Sequence, residues 1–155
     1  MGIKSFTGAR KQQLKEVDQV SVLVSDYMSR DLITFKPEQM VEDVIDKLIN
    51  NKISGGPVVN DNFELVGIIS EGDCLKQISD SRYYNMPIEQ DKVETRMMKN
   101  VETIDGNMNI FDAANKFLES KRRRFPIVMD GKLVGQISQK DILKAALTLK
   151  GHNWK

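Results

Sequence analysis

Two copies of one nine-residue phrase carry the residues best suited to chemistry. The phrase reads LVGIISEGD in the first copy and LVGQISQKD in the second. In each copy a serine precedes an aspartate by three positions, as Ser70 and Asp73 and again as Ser138 and Asp141. A hydroxyl and a carboxylate beside the unpaired N–H groups of a helix start can hold a sugar and a phosphate.

The same four residues also have a purely structural interpretation. A serine that precedes a helix accepts a hydrogen bond from an N–H group of the first turn, which makes Ser70 and Ser138 candidate N-caps. An aspartate in that turn is favoured by the helix dipole, which accounts for Asp73 and Asp141. The phrase alone leaves both interpretations open.

Each phrase lies where a predicted buried strand turns into a helix. The residues upstream add a strand, a helix with one apolar stripe, and a strand that leads into a hairpin turn. The predicted unit is therefore β-α-β-β-α. In the first unit the five elements are predicted at Leu32–Phe35, Met40–Ile49, Pro57–Val59, Leu65–Ser70 and from Glu71 to about Ser79.

The second half of the chain repeats the first. At an offset of 69 residues Met28 aligns with Met97 and Thr34 with Thr103, and a shorter hairpin then reduces the offset to 68. A unit of this size is marginal alone, so we expect an α/β protein of two repeats that pack with pseudo-two-fold symmetry. The predicted boundaries are a polar N-terminal leader at 1–23, a first repeat at 24–78, a linker at 79–92, a second repeat at 93–147 and a C-terminal tail at 148–155, with the last helix ending near Gly151.

Composition excludes several classes of function. The chain has 155 residues and a net charge of +1, which gives no field for nucleic acid or membranes. No apolar run approaches the roughly 20 residues of a membrane helix. One cysteine, Cys74, and one histidine, His152, exclude an internal disulfide, a histidine triad and a multi-histidine metal site. We expect a cytoplasmic protein in which Cys74 is buried, because it aligns with Ile142.

A basic run from Lys121 to Arg124 differs between the two repeats, because the first repeat has Ile53-Ser54-Gly55 where the second has three arginines. Cations suit a helix C-terminus, which accounts for Lys121 and Arg122. Arg123 and Arg124 lie beside the predicted ligand-side loop, where guanidinium groups can bind phosphate. A solvated helix end and a phosphate clamp both remain open, and four residues are a small footprint for nucleic acid.

The duplicated unit resembles the CBS domain, which is named after cystathionine β-synthase. The resemblance rests on Ile53–Val59 with Gly67–Asp73, and on Phe125–Val128 with Gly135–Asp141. It implies a stand-alone regulatory pair that is not an enzyme and binds an adenosine-containing ligand in the cleft between the repeats. AMP, ADP and ATP are the leading ligands, with S-adenosylmethionine and NAD as further members of the class, and no cofactor or metal is implied.

The resemblance also assigns roles to residues. Asp73 and Asp141 would bind ribose hydroxyls, Ser70 and Ser138 would face ribose or phosphate, and Phe125 would stack on adenine. The two threonines would line the same pocket, and the backbone before each strand proline would flank the base. The implied ligand-binding set is Thr34, Gly55, Gly56, Pro57, Ser70, Asp73, Thr103, Arg123, Arg124, Phe125, Pro126, Ser138 and Asp141.

We therefore expect a homodimer that senses an adenine nucleotide and signals to an unidentified regulated protein. The ligand would favour one arrangement of repeats or subunits through differential binding. The alternative is a scaffold dimer whose clefts bind no ligand. An enzyme is disfavoured, because the sequence offers no nucleophile–base pair, metal cluster or phosphate-binding glycine loop.

Overall fold

The chain folds into two similar α/β units, each built on one hairpin and two main helices. In the computed structural model, residues 22–83 and 91–153 are described. Their elements are a 3₁₀ turn at Val24–Asp26, helix α1 at Val41–Asn51, strands β1 at Gly55–Val59 and β2 at Leu65–Ser70, helix α2 at Glu71–Tyr83, helix α3 at Val93–Arg96, strand β3 at Ile104–Asp105, helix α4 at Ile110–Ser120, strands β4 at Arg124–Met129 and β5 at Lys132–Ser138, and helix α5 at Gln139–Asn153.

This architecture confirms the predicted α/β class and the two-repeat organisation. Helix α2 continues to Tyr83 rather than ending near Ser79, and α5 continues past Gly151. The predictions for the leader before residue 22, for residues 84–90 of the linker predicted at 79–92 and for the last two residues lie outside the described residues. None of the helices in the described part of the chain has the length and apolar character that crossing a membrane requires.

One β-hairpin forms the centre of each unit. Strands β1 and β2 pair antiparallel, as do β4 and β5, and β3 pairs parallel with β4. The strand predicted at Leu32–Phe35 is wrong in extent, because only Phe35 forms a bridge, to Val58. The chain then reaches Pro37, which has no N–H group with which to continue a ladder.

The main helices follow the apolar stripes of the sequence. In α1 the buried residues Val41, Val44 and Leu48 recur at helical spacing. Helix α4 begins at Asn109, whose side-chain oxygen accepts hydrogen bonds from the N–H groups of Phe111 and Asp112. It ends at Lys121, which has left-handed backbone angles, so the basic run starts at a helix C-terminus.

The segment at the start of each repeat packs into the hydrophobic core of the other repeat. We call residues 22–29 and 91–98 the crossing segments. Val24 and Met28 belong to the same buried cluster as Ile127 and Ile137 of the second unit. Val93 and Met97 pack in the same way with Phe35 and other core residues of the first unit. Each hydrophobic core is therefore completed by a segment that the sequence repeat assigns to the other half.

Backbone hydrogen bonds hold both crossing segments in equivalent positions. Val24 N–H donates to the Met108 carbonyl at 2.8 Å, and Val93 N–H donates to the Gln39 carbonyl at 2.8 Å. Further along, Ser29 pairs with Gln136 of β5, and Met98 pairs with Ile68 of β2. The middle residues of β2 and β5 are thus bonded to the opposite half of the chain.

The glycine of the duplicated phrase makes room for these segments. A Cβ atom at Gly67 would lie 2.6 Å from Met97 Sδ and 2.9 Å from the Met98 carbonyl oxygen. At Gly135 a Cβ atom would lie 2.6 Å from Met28 Sδ and 2.7 Å from the Ser29 carbonyl oxygen. The backbone atoms cannot rotate away, so the glycines are required for the two halves to approach.

Replacing Gly67 with alanine should lower the free energy of unfolding by about 1–3 kcal/mol, because the new methyl group overpacks the contact between the halves. Gly72→Ala is the matched control. A Cβ atom there would meet only Ser70 Oγ, at 3.7 Å. Since alanine favours the helix over glycine, that variant should gain about 0.5–1 kcal/mol. Urea unfolding of both variants measures the difference, and equal stabilities would refute the packing argument.

A half-buried ion-pair cluster joins the end of the first unit to the start of the second. The Arg96 guanidinium donates to Asp80 at 2.6 Å and to Asp91 at 2.9 Å. Its side chain is only 15% exposed. The hydrogen bond to Asp80 raises the pKa of Arg96 although burial acts in the opposite direction. The guanidinium is therefore charged at any working pH and fixes α2 to α3.

Cys74 is buried in the first core, as predicted from its alignment with Ile142. Burial raises the pKa of this thiol, and the negative charges of Asp73 and Glu71 raise it further. Since the thiolate is the reactive form, we expect Ellman's reagent to modify the native protein at least about tenfold more slowly than the urea-unfolded chain. Equal rates in the two states would show that the thiol is accessible in the folded protein.

Candidate functional site

A cavity of about 230 Å³ lies between the two units. Seven of the thirteen residues that the sequence assigns to the ligand line it, and both units contribute. They are Gly55, Gly56, Pro57 and Ser70 from the first unit and Arg123, Arg124 and Pro126 from the second. The structure therefore brings the predicted glycine loop and the predicted guanidinium groups to one place.

The hairpin register explains how these residues meet. Gly55 lies opposite Ser70 across β1 and β2, and Arg124 lies opposite Ser138 across β4 and β5. The end of each hairpin thus places the first residue of its first strand opposite the serine that precedes a helix. Because Ile68 and Gln136 are bonded to the crossing segments, the two hairpins are held on either side of the cavity.

In both copies the serine and aspartate cap a helix. The carboxylate Oδ2 of Asp73 accepts from the Ser70 N–H at 2.9 Å and from the Ser70 hydroxyl at 3.0 Å. Oδ2 of Asp141 accepts from the Ser138 N–H at 2.9 Å. In return the N–H groups of Asp73 and Asp141 donate to the serine hydroxyls at 3.4 and 3.2 Å. This reciprocal pattern is a capping box, so the structural interpretation holds in both copies.

The capping bonds limit what the helix starts can offer to a ligand. Besides the N–H groups of the two aspartates, Glu71 N–H donates to the Ser54 carbonyl and Gln139 N–H to the Arg123 carbonyl. The expected patch of unpaired donors is therefore wrong in extent, because the preceding loop and the serine occupy these N–H groups. The capping bonds of both aspartates use Oδ2 and leave the second carboxylate oxygen, Oδ1, out of the capping box.

The basic run contains one arginine that lies beside an acidic residue and two arginines that line the cavity. Arg122 lies 3.7 Å from Glu102, which also lies 3.7 Å from the Lys116 ammonium. Arg123 and Arg124 are exposed and line the cavity. The wall from the second unit therefore carries two positive charges, whereas the opposite wall carries Ser54, Gly55 and Gly56.

The remaining predicted residues lie at different places. Thr34 is not in the cavity lining, but its neighbour Ile33 lies beside the lining residue Gly56. The Ile33 carbonyl oxygen would lie 2.9 Å from a Cβ atom at Gly56. Thr103 instead lines a separate cavity of about 390 Å³, together with Lys99 and Val66. Asp73, Ser138 and Asp141 are half-buried at the helix starts beside the central cavity rather than in its lining.

The stacking role expected of Phe125 is wrong. Its side chain is fully buried in the second core, and its ring centroid lies 4.8 Å from that of Phe117. The Lys116 ammonium lies 5.7 Å from the same ring centroid. Only the backbone of Phe125 can therefore face a ligand.

Sequence reasoning missed three residues of the cavity wall, Ser54, Ile68 and Gln136. The sequence contained a signal for Gln136. Within the first six residues of the phrase the copies differ only where Ile68 in one becomes Gln136 in the other. An amide at an otherwise apolar strand position suits hydrogen bonding to a ligand. No cluster of histidine, cysteine, aspartate and glutamate suited to a metal occurs within the described residues.

Comparison with protein families gives a match over both halves of the chain. The model described as the CBS domain matches residues 24–80 and 92–148. The chloroplastic protein CBSX1 of Arabidopsis thaliana is 31% identical over 153 residues, which cover 82% of this chain and 65% of the relative. Inosine-5′-monophosphate dehydrogenase of Aquifex aeolicus is 33% identical over 135 residues, which cover 86% of this chain and 26% of that enzyme. The chain thus spans just under two thirds of the plant relative and about a quarter of the enzyme.

Solved structures share the fold. The crystal structure of CBSX2 in complex with AMP has a TM-score of 0.72 at 33% identity, and the match covers 84% of this chain and 99% of that one. CBSX2 is a CBS-pair protein from Arabidopsis thaliana. The CBS domain pair of MJ0100, in complex with 5′-methylthioadenosine and S-adenosylmethionine, has a TM-score of 0.64 at 26% identity, and the match covers 81% of this chain and 96% of that one.

Proposed function

The chain belongs to the CBS-domain family, and from this premise we propose that it is a regulatory module that binds an adenosine-containing ligand in the cavity between its two units. AMP, ADP and ATP are the leading ligands, and S-adenosylmethionine and NAD share the same adenosine group. Two structural neighbours were solved with ligands of this class. Binding would favour one arrangement of repeats or subunits, and a regulated protein would respond to that change.

The observation that carries this proposal is the difference between the two walls of the cavity. One wall offers Gly55 and Gly56, where a flat base can approach the backbone, and the other offers Arg123 and Arg124. A nucleotide has the same two ends, a base and an anion. The cavity, at about 230 Å³, is smaller than the roughly 300–1,000 Å³ of typical ligand pockets. The phosphates therefore belong at the open mouth, where the exposed arginines lie.

The ribose would lie at one of the two helix starts. The Oδ1 atom of Asp73 or Asp141 can accept hydrogen bonds from vicinal hydroxyls while Oδ2 keeps its capping bond. Thr34, Ser70 and Pro57 would contribute on the first side, and Thr103, Ser138, Pro126 and the Phe125 backbone on the second. These roles belong to the same proposal.

Thermal unfolding in the presence of nucleotides tests the proposal. A ligand at 100 times its dissociation constant should add about 2.7 kcal/mol, which is roughly 5–10 °C for a chain of this length. We expect this shift with an adenine nucleotide and not with GMP. Asp73→Asn and Asp141→Asn are the appropriate variants, because the amide oxygen can still accept from the capping serine, whereas the NH₂ group that replaces Oδ1 cannot accept hydrogen bonds from the ribose hydroxyls.

We expect one of these two variants to lose most of the shift while the other keeps it. Loss in one variant would identify the helix start that binds ribose. If no adenosine-containing ligand shifts the melting temperature of the parent protein, the sensor proposal fails and a ligand-free scaffold becomes the better account.

Homodimer formation and a cytoplasmic location complete the proposed function. The helices of each unit expose leucine and isoleucine side chains that a second copy could cover. Cys74 is a free thiol, which suits a reducing compartment. Sedimentation of the purified protein tests the dimer independently of the ligand.

A further inference from the structure

The central cavity is lined by equivalent positions of the two units, but the residues at these positions differ. Eight of its ten lining residues form four pairs that align in the sequence repeat. The pairs are Ser54 with Arg123, Gly55 with Arg124, Pro57 with Pro126, and Ile68 with Gln136. Only the proline pair is identical, so the two walls offer a ligand different side chains at equivalent positions.

Gln136 lies deeper in the cavity than the two arginines. In the register of β4 and β5, Arg124 is opposite Ser138, whereas Pro126 is opposite Gln136. Two residues of a strand span about 6–7 Å, and Arg124 is exposed while Gln136 is half-buried. A ligand whose phosphates lie at the open mouth therefore directs its opposite end towards Gln136.

The side-chain amide of Gln136 is available to a ligand, whereas its backbone is not. The Gln136 N–H donates to the Ser29 carbonyl at 2.9 Å, and the Gln136 carbonyl accepts from the Ser29 N–H at 2.8 Å. Among the residues that the structure describes, none forms a hydrogen bond with the amide. A ligand that displaces water from the cavity must pair with this amide or leave it unsatisfied, which is unfavourable.

We propose that the Gln136 amide recognises the exocyclic N6 amine of adenine, while Ile68 packs against the base from the aligned position of the first unit. Adenine presents the N6 amine as a donor beside a ring nitrogen, N1 or N7, as an acceptor. The amide has the complementary acceptor and donor. Guanine has a carbonyl oxygen in place of the amine, which would face the amide oxygen. The inference rests on the proposed function and identifies the residue that selects the base.

Purine riboside 5′-monophosphate, which differs from AMP only in lacking the N6 amine, tests this contact. In isothermal titration calorimetry the parent should bind AMP at least about tenfold more tightly than the analogue. Gln136→Ile is the appropriate variant, because it copies the residue at the aligned position, and circular dichroism should show parent-like folding. The variant should bind the two ligands with nearly equal affinity, since isoleucine cannot accept a hydrogen bond from the amine.

Gln136→Glu gives a second measurement, in which the preference for the base changes. A carboxylate has nearly the shape of the amide but only accepts hydrogen bonds. It can accept from N1–H and the N2 amine of guanine, whereas with adenine one of its oxygens faces a ring nitrogen. The ratio of AMP affinity to GMP affinity should therefore fall at least about tenfold. The ratio is the appropriate quantity, because the added negative charge repels the phosphates of both ligands.

Results of three kinds would overturn the inference. Equal affinities of the parent for AMP and the analogue would show that the N6 amine is not recognised. Gln136 would not contact the amine if Gln136→Ile kept the parent's ratio for these two ligands, or if Gln136→Glu kept its ratio of AMP to GMP. In both cases AMP still binds to the parent, and the proposed function stands. A parent that binds no AMP would also overturn the inference, and the thermal-shift panel would then decide the proposed function with the other adenosine-containing ligands.

Discussion

Replacing Arg96 with methionine should lower the free energy of unfolding by about 3 kcal/mol. The substitution removes the cation from a cluster in which the Asp80 and Asp91 side chains are only 29% and 14% exposed. Two carboxylates would then share a poorly solvated site without a partner, which is the costly way to break an ion pair. Urea unfolding, with the slope checked for two-state behaviour, gives the measurement.

Two further variants separate the ion pair from a general effect of arginine. Arg122→Met should cost no more than about 1 kcal/mol, because Arg122 and Glu102 lie 3.7 Å apart and are 36% and 45% exposed. Arg96→Lys keeps the charge but cannot donate to both acids with one planar fork, so its loss should be intermediate. If Arg96→Met and Arg122→Met lower the free energy of unfolding by the same amount, the half-buried cluster does not stabilise the junction.

The double variant Arg123→Gln, Arg124→Gln should bind AMP at least about 100-fold more weakly than the parent. Each hydrogen bond to a charged group contributes about 1.5–3 kcal/mol, and a factor of ten in affinity is about 1.4 kcal/mol. The stability without ligand should hardly change, because both side chains are exposed. Isothermal titration calorimetry measures the affinity directly.

Adenosine is the informative ligand for this comparison. Because it lacks phosphate, its affinity should be nearly the same for the parent and the double variant. Arg122→Gln is the control within the same basic run, since Arg122 lies beside Glu102 and outside the cavity lining. An equal loss of AMP and adenosine would mean that the arginines shape the site rather than bind phosphate.

The sequence predicted the local structure well, because local structure depends on neighbouring residues. Ser70 and Ser138 precede helices as expected, and the two hairpins and apolar stripes are where the repeat places them. Seven of the residues predicted to bind a ligand line one cavity for the same reason, since the start of the first strand lies opposite the serine in each hairpin.

The predictions that failed depend on contacts between distant residues. The Phe125 ring is directed into the core, where it packs on Phe117, and strand alternation alone does not identify which face is the core. Nothing in the pattern of Val24 and Met28 indicates that they pack with the second half. Thr103 lines a cavity against Val66, a residue of the other unit, which an alignment of the repeats cannot reveal.

Because the crossing segments are exchanged, one sequence repeat does not correspond to one folding unit. A fragment containing residues 24–78 alone would lack Val93 and Met97, and its partner fragment would lack Val24 and Met28. Neither half should form a stable core by itself, although the two fragments mixed together should reassociate. The whole chain should therefore unfold in one cooperative transition. A ligand that contacts only one half would then stabilise both halves equally, because neither can unfold while the other remains intact.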